Sequence, residues 1–312
     1  MPKAVVRSKR VIPMLMILVA VVAAFALAPR VYSNQLLLFN TIVYLVLAQG
    51  LNIIYGFTGY LPFGYVGFFG AGAYGFSLAV IHWHTPPLAA LAVGVLVAVA
   101  LALILTPLLR LSGAYFAVAN LAASEAVLQI VSNPNLTDFT KGPYGISLEK
   151  IYNPTLSYGA AIVTLAFTLA IVVYLRSSRF GLALQAIRED AISAGMVGVD
   201  VVRGRVLAWL LSALVAGLIG GIFAWYVSVF YPETVFDLGI SIFAVVFALF
   251  GGTATLVGPI LGVLILYGIY NVIGISTPAY FQLIYGLLIV LLILFLPNGI
   301  VSLIDRGTRR VP

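Results

Sequence analysis

Two features of this chain could do chemistry: one carboxylate inside an apolar stretch, and one long polar segment between two apolar stretches. Glu125 lies within the apolar residues 113–131. A charged side chain at the centre of a bilayer costs on the order of 2.5 to 3.5 kcal/mol, so we expect Glu125 to face the protein interior. It could contact the ammonium group of a solute there, or form a structural hydrogen bond with Ser or Asn on another helix.

The polar segment, residues 176–200, has the pattern of a short amphipathic helix. Its apolar side comprises Leu184, Ile187, Ala191 and Ala194, and its polar side comprises Gln185, Arg188, Glu189 and Ser193. In a chain that is otherwise almost wholly apolar, this segment is the place where a water-soluble partner could bind.

Sequence motifs for catalysis are missing. The chain has no cysteine and no Gly-x-x-x-x-Gly-Lys-Ser/Thr, His-Glu-x-x-His or Gly-x-Ser-x-Gly motif. His82 and His84 flank Trp83, and two histidines without a third ligand favour an interfacial girdle over a metal site. We therefore expect no enzyme activity and no metal or cofactor bound by this chain.

Composition places the chain in a membrane. It is 63% hydrophobic and 8% charged, against roughly 25% charged for a soluble domain. The net charge of +7 comes from short basic clusters beside apolar spans, which indicates membrane topology rather than nucleic-acid binding.

Since a helix needs about 20 apolar residues to cross the hydrocarbon, we predict an all-α integral membrane protein with about ten transmembrane helices in a single domain, residues 1–312. The predicted spans are residues 11–29, 35–55, 62–81, 87–109, 113–131, 156–175, 204–229, 237–253, 257–275 and 281–296. Whether the third and eighth segments cross fully stays open.

The basic residues predict the orientation, because Lys and Arg accumulate in cytoplasmic loops. With the N-terminus inside and the first span retained, ten crossings leave only Arg30, Lys141 and Lys150 outside. The residues placed inside are Lys3, Arg7, Lys9, Arg10, Arg110, Arg176, Arg179, Arg188, Arg203, Arg205, Arg306, Arg309 and Arg310. Residues 1–10, 176–203 and 297–312 are thus expected in the cytoplasm. Residues 132–155 are expected outside, as a connector or as a surface for an external partner.

Glycine is concentrated between residues 56 and 75, where Pro62 predicts a helix start or a break within the membrane. Broken helices often line a solute pathway, although close helix packing alone would also explain the glycines. The candidate pathway residues are Gly59, Tyr60, Pro62, Phe63, Gly64, Tyr65 and Glu125. Packing is the expectation for a second glycine cluster at 251–262.

Several segments together resemble the permease subunits of branched-chain amino acid ABC transporters, over about residues 35–300. They are Leu51-Asn52, Gly56-Phe57-Thr58-Gly59, Phe68-Phe69-Gly70-Ala71-Gly72-Ala73-Tyr74, Tyr115-Phe116 with Glu125, Lys141-Gly142-Pro143-Tyr144-Gly145-Ile146, Gly181 with Ala186-Ile187-Arg188-Glu189-Asp190 and Gly198-Val199, Gly251-Gly252, Gly258-Pro259 and Pro297-Asn298-Gly299. The resemblance rests on their order and spacing.

The resemblance implies that the polar segment is a coupling helix docked in a cleft of an ATPase subunit. Its apolar side would lie in the cleft, with Arg188, Glu189 and Asp190 at the rim. An amphipathic helix lying on the inner leaflet is the alternative, although anionic lipid would repel Glu189 and Asp190. The coupling residues are Gly181, Ala186, Ile187, Arg188, Glu189, Asp190 and Gly198.

The partners that the resemblance implies are two ATP-binding subunits, which would carry ATP and Mg, a second related permease subunit that is identical or merely similar, and a periplasmic or extracellular solute-binding protein. The location it implies is a bacterial or archaeal plasma (inner) membrane, with both termini in the cytoplasm.

One departure from the family pattern leaves the solute open. Where the family commonly has a Gln-x-Ser-x-Gly-His run, this chain has Tyr60-Leu61-Pro62-Phe63-Gly64-Tyr65. Leucine, isoleucine and valine are the first expectation, with urea, short amides and other amino acids as alternatives. An ion-coupled secondary transporter or channel for a small polar solute is the rival hypothesis, and it predicts paired ionisable residues within the membrane.

Overall fold

Helices form the whole framework of the protein. The computed structural model describes residues 2–276, 286–287, 290 and 299–301. Within these residues, nine helical segments are long and apolar enough to cross a membrane, and they match the first nine predicted spans. The tenth predicted span, 281–296, falls almost entirely outside the described residues, as do Arg306, Arg309 and Arg310.

The elements have the following bounds. The helices are α1 (Pro2–Leu27), α2 (Gln35–Leu51), α3 (Val66–Trp83), α4 (Pro87–Ile104), α5 (Gly113–Val131), α6 (Thr137–Thr140), α7 (Pro154–Ser177), α8 (Arg179–Glu189), α9 (Ala191–Met196), α10 (Val201–Val227), α11 (Pro232–Val235), α12 (Leu238–Gly251) and α13 (Val257–Ser276). The two strands are β1 (Ile146–Ser147) and β2 (Val229–Phe230). The prediction of an all-α, multi-pass membrane protein is confirmed.

Helices α2, α3 and α10 form the centre of the bundle. Helix α3 packs against α4 and α10, and α2 packs against α7, α10, α12 and α13. Glycine permits close approach here, since a Cβ atom at Gly72 would overlap the backbone of Gly217 on α10. Close packing is therefore the role of this helical glycine, as expected for small residues at membrane helix interfaces.

The chain is broken between α2 and α3, as Pro62 predicts. Helix α2 continues through a π-helical turn, Asn52–Gly56, and regular helix resumes at Val66 rather than at residue 62. The hydroxyl of Ser241 accepts a hydrogen bond from the backbone N–H of Val66 at 2.7 Å. Since the first N–H groups of a helix lack partners within it, this contact from α12 stabilises the new start.

The connections at the two ends of the bundle agree with the span count. Strands β1 and β2 pair antiparallel, with Ile146 opposite Phe230, so the α5–α7 and α10–α11 connections lie together. The side chain of Arg188 on α8 reaches the carbonyl of Gly56, so the α7–α10 and α2–α3 connections lie together at the opposite end. If successive spans alternate in direction, the two connections of each pair must lie on the same side of the membrane, as they do here. The cytoplasmic placement of the α8 end stays a prediction.

Candidate functional site

Helices α8 and α9 form a compact unit held by local caps. The hydroxyl of Ser178 accepts from the N–H of Gly181 at 3.0 Å, and Asp190 accepts from the N–H of Ile192 at 2.9 Å. The Ser193 hydroxyl donates to Asp190 at 2.7 Å. These hydrogen bonds lower the pKa of Asp190, and the bond from the Ser193 hydroxyl has the largest effect. The carboxylate therefore stays charged while it caps α9.

The side of this unit that was predicted to enter a partner's cleft is instead buried within the chain. Leu184, Ile187 and Ala194 are buried, and α8 packs against α7 and α10. That part of the sequence interpretation is wrong, because a helical wheel shows an apolar side but not what covers it. An amphipathic helix is confirmed for α8, but the chain breaks at Asp190, so Ala191, Ser193 and Ala194 belong to the separate helix α9.

A second, smaller set of apolar side chains faces outward. Leu182, Ile192, Met196 and Val197 on α8 and α9 are between 63% (Leu182) and 79% (Val197) exposed. They lie beyond the ends of α7 and α10, at the end predicted to be cytoplasmic. Large apolar side chains left exposed to water are candidates for an interaction site. The sequence pattern missed them because they lie outside the dominant apolar stripe.

Of the other residues predicted to form the coupling loop, some contact the rest of the chain and others are exposed to solvent. Arg188 donates to the Gly56 carbonyl at 2.6 Å, which ties α8 to the α2–α3 break, while Glu189 and Asp190 are exposed. A Cβ atom at Gly181 would overlap the Leu175 carbonyl. Ala186 is half-buried, and Gly198 is exposed with a left-handed φ of +88° that favours glycine.

The candidate pathway residues of the α2–α3 break separate into two groups. Pro62, Gly64 and Tyr65 are buried, and the Tyr65 hydroxyl donates to the Ser212 carbonyl at 2.9 Å, which indicates a packing role. Gly59, Tyr60 and Phe63 instead line a cavity of about 410 Å³ that also includes Ile187, Arg188 and Arg205. The structure thus joins part of the break to α8.

Glu125 does not face the interior of this chain, so that expectation is wrong. It is exposed on α5 and accepts a hydrogen bond of 2.9 Å from Gln129 on the same helix. Its neighbours on this face are also exposed: Tyr115, Val118, Ala122, Ala126 and Gln129. Because lipid would penalise a carboxylate, this face requires protein or water beside it.

Sequence reasoning missed a buried amide pair in α2. Asn52 donates to Gln49 at 3.2 Å and to the Thr255 carbonyl at 2.9 Å, and it accepts from the N–H of Ala254 at 2.7 Å. Gln49 donates to the Leu256 carbonyl at 2.7 Å. The pair holds the turn between α12 and α13. Two amides three residues apart in an apolar span were the available signal.

At the opposite end, the connection between α5 and α7 folds against the bundle. His82 lies 2.9 Å from the Phe139 carbonyl and stacks on the Phe139 ring. The N–H of Leu148 donates to the Ser228 carbonyl at 2.7 Å, next to the β1–β2 pair. Tyr144, Tyr152 and Tyr231 are exposed around this pair, so this end presents an aromatic surface.

Comparisons with known proteins agree on one family. The sequence profile described as "Branched-chain amino acid transport system / permease component" matches residues 34–293. The chain is 29% identical over 301 residues to the high-affinity branched-chain amino acid transport system permease protein LivM of Salmonella typhimurium (strain LT2), covering 84% of this chain and 68% of LivM. The LivM protein of Escherichia coli (strain K12) gives the same values.

A second type of permease is also similar to this chain. The LivH protein of Escherichia coli (strain K12) is 26% identical over 185 residues, covering 54% of this chain and 59% of LivH. Two distinct permease proteins from one organism thus match the same chain. No solved structure shows a significant match.

Proposed function

The chain belongs to the branched-chain amino acid transport permease family, and on that premise we propose that it forms one half of a translocation pathway in an ATP-binding-cassette importer. The solute we propose is leucine, isoleucine or valine, because LivM and LivH are named as branched-chain amino acid permeases. The other half of the pathway is a second permease, and the match to both LivM and LivH favours a related rather than identical partner.

The observation that carries this proposal is the exposed face of α5. Glu125 lies twelve residues after Gly113, about 18 Å along the helix, and therefore well inside the membrane. A face with Glu125, Gln129 and small residues such as Ala122 is unsuited to lipid. Set against the same face of a second permease, it would enclose a polar path in which Glu125 contacts the ammonium group of the solute.

The ATPase subunits bind at α8 and α9 in this proposal. The outward set Leu182, Ile192, Met196 and Val197 supplies an apolar centre, and the exposed Glu189 and Asp190 supply a polar rim. Since Arg188 bonds to Gly56, movement of α8 would reach the α2–α3 break directly. ATP and Mg would bind on those partner subunits.

The external solute-binding protein has a separate surface. The exposed Tyr144, Tyr152 and Tyr231 surround β1 and β2 at the end opposite α8, and aromatic residues are enriched in protein interfaces. We propose that the protein lies in the plasma membrane of a bacterial or archaeal cell, with both termini in the cytoplasm.

The secondary-transporter hypothesis is less well supported. It requires ionisable partners within the membrane, yet in the described spans Glu125 pairs with the uncharged Gln129. Uptake that persists in reconstituted vesicles without ATP would restore it.

The test is co-purification of partner subunits from the native host in mild detergent. The wild-type chain is expected to retain the ATPase subunits, and the double variant Ile192→Asp, Met196→Asp is expected to lose them, because two carboxylates replace its apolar contact surface. Tyr144→Asp, also exposed but at the other end, is the matched control and should retain them. Equal retention by the double variant would contradict docking at α8 and α9.

A further inference from the structure

The cavity between the coupling helix and the start of α5 is lined by positively charged side chains. The transport proposal gives no role to one of them, Arg205. It encloses about 410 Å³, within the range of small-molecule sites. Its walls come from the α2–α3 break, the first turn of α5, α8 and the first turns of α10. Both charged side chains that line it are arginines, Arg188 and Arg205.

Arg205 lacks an anionic partner within the described part of the chain. Its guanidinium lies 4.7 Å from the centre of the Tyr60 ring, and its Nε atom is buried without a hydrogen-bond partner. By contrast, Arg203 forms an ion pair with Asp200 at 3.0 Å, with 84% of its side chain exposed. A buried donor without a partner costs about 1 to 3 kcal/mol, so this guanidinium is incompletely satisfied by the described residues, and an oxyanion in the cavity that Arg205 lines would supply the counter-charge it lacks.

The start of α5 adds to the positive potential. Ser112, Gly113 and Ala114 line the cavity, and the Ser112 side chain does not cap the helix. The N-terminus of a helix favours negative charge through its free N–H groups and its dipole.

Five apolar side chains lie in the same lining, beside the polar Thr58, Tyr60 and Ser112. Leu61, Phe63, Phe116, Ala117 and Ile187 face the same cavity as the two arginines. A site of this kind suits a ligand with a carboxylate at one end and a short apolar group at the other, rather than a bare inorganic anion.

We propose that this cavity binds the carboxylate of a small apolar amino acid at the end of the bundle that carries α8, with Arg205 as the contacting residue. The inference deepens the proposed function, on which it rests for the identity of the ligand. The bound amino acid lies between α8 and α5, so its release precedes free movement of the coupling helix.

Thermal unfolding of the purified full-length chain in detergent tests the site. L-Leucine and 4-methylpentanoate, which lacks the amino group, are expected to raise the unfolding temperature, whereas 3-methylbutylamine, which lacks the carboxylate, is not. Arg205→Gln should weaken leucine binding at least tenfold, while the matched control Arg203→Gln should leave it unchanged. Ala114→Phe, which fills the cavity but keeps Arg205, should also weaken binding and covers the case in which Arg205→Gln does not fold.

Other outcomes overturn the proposal. No shift with leucine, an equal shift with the amine, or equal losses in Arg205→Gln and Arg203→Gln would each contradict it. Stabilisation by inorganic phosphate or by phosphatidylglycerol, lost in Arg205→Gln and absent with leucine, would identify a free or lipid phosphate as the ligand instead.

Uptake measured separately in the complex with its ATPase subunits distinguishes this inference from the proposed function. If leucine is transported but binds independently of Arg205, only the inference fails. If leucine is not transported but 4-methylpentanoate binds through Arg205, the carboxylate site stands and the solute assignment is wrong.

Discussion

Helices α2 and α5 both carry polar side chains inside apolar spans, but they satisfy them in opposite ways. In α2, Gln49 and Asn52 are fully buried and bond to the turn between α12 and α13. In α5, Glu125 and Gln129 are exposed and bond to each other. Gln49 and Asn52 therefore hold this chain together, whereas Glu125 and Gln129 are available to something outside it.

The largest expected effect on stability is at Asn52. Asn52→Leu removes the partners of Gln49, Ala254 and Thr255, and leaving such groups buried and unbonded should cost on the order of 3 kcal/mol. Thermal unfolding of the purified chain measures this loss. The control Asn135→Leu, at an exposed position, should change stability by about 0.5 kcal/mol or less. Equal stability of the two variants would remove the structural role assigned to α2.

Glu125→Gln, in contrast to Asn52→Leu, should lower uptake without lowering the stability of the chain. A hydrogen bond to a charged group contributes about 1.5 to 3 kcal/mol, so loss of contact with the solute ammonium should lower uptake roughly tenfold or more. Because Glu125 is exposed in this chain, its unfolding temperature should stay close to that of the wild type. Wild-type uptake by this variant, measured in vesicles that contain the complete complex, would remove Glu125 from the pathway.

The smallest effect is expected at Gln129. Gln129→Leu removes only the bond to Glu125, and helix pairs four residues apart contribute about 0.2 to 0.5 kcal/mol. Uptake should therefore fall by about twofold at most. A loss as large as that of Glu125→Gln would mean that Gln129 contacts the solute itself.

The sequence predicted which segments are helical better than it predicted which residues pack against each other. Hydropathy located the spans because lipid forces long apolar helices, and Pro62 located the break before Val66 because it cannot continue a helix. The wheel of residues 184–194 predicted α8 but not its burial, since Leu184 and Ile187 could have packed on a partner as well as on α10. For the same reason Glu125 was placed inside, although the chain leaves the face of α5 that carries Glu125 uncovered. The role of Asn52 depended on bonds to a turn 202 and 203 residues further along the chain.

The claim that the exposed face of α5 lies against a second permease is tested most directly by photo-crosslinking. A benzoylphenylalanine at Val118, which is 62% exposed on α5, is compared with one at Val163, which is 68% exposed on α7. The probe at Val118 is expected to crosslink to a permease-sized polypeptide, identified by mass spectrometry, and the probe at Val163 is expected to crosslink only to lipid. Lipid adducts alone at Val118, with the ATPase subunits still bound, would contradict it.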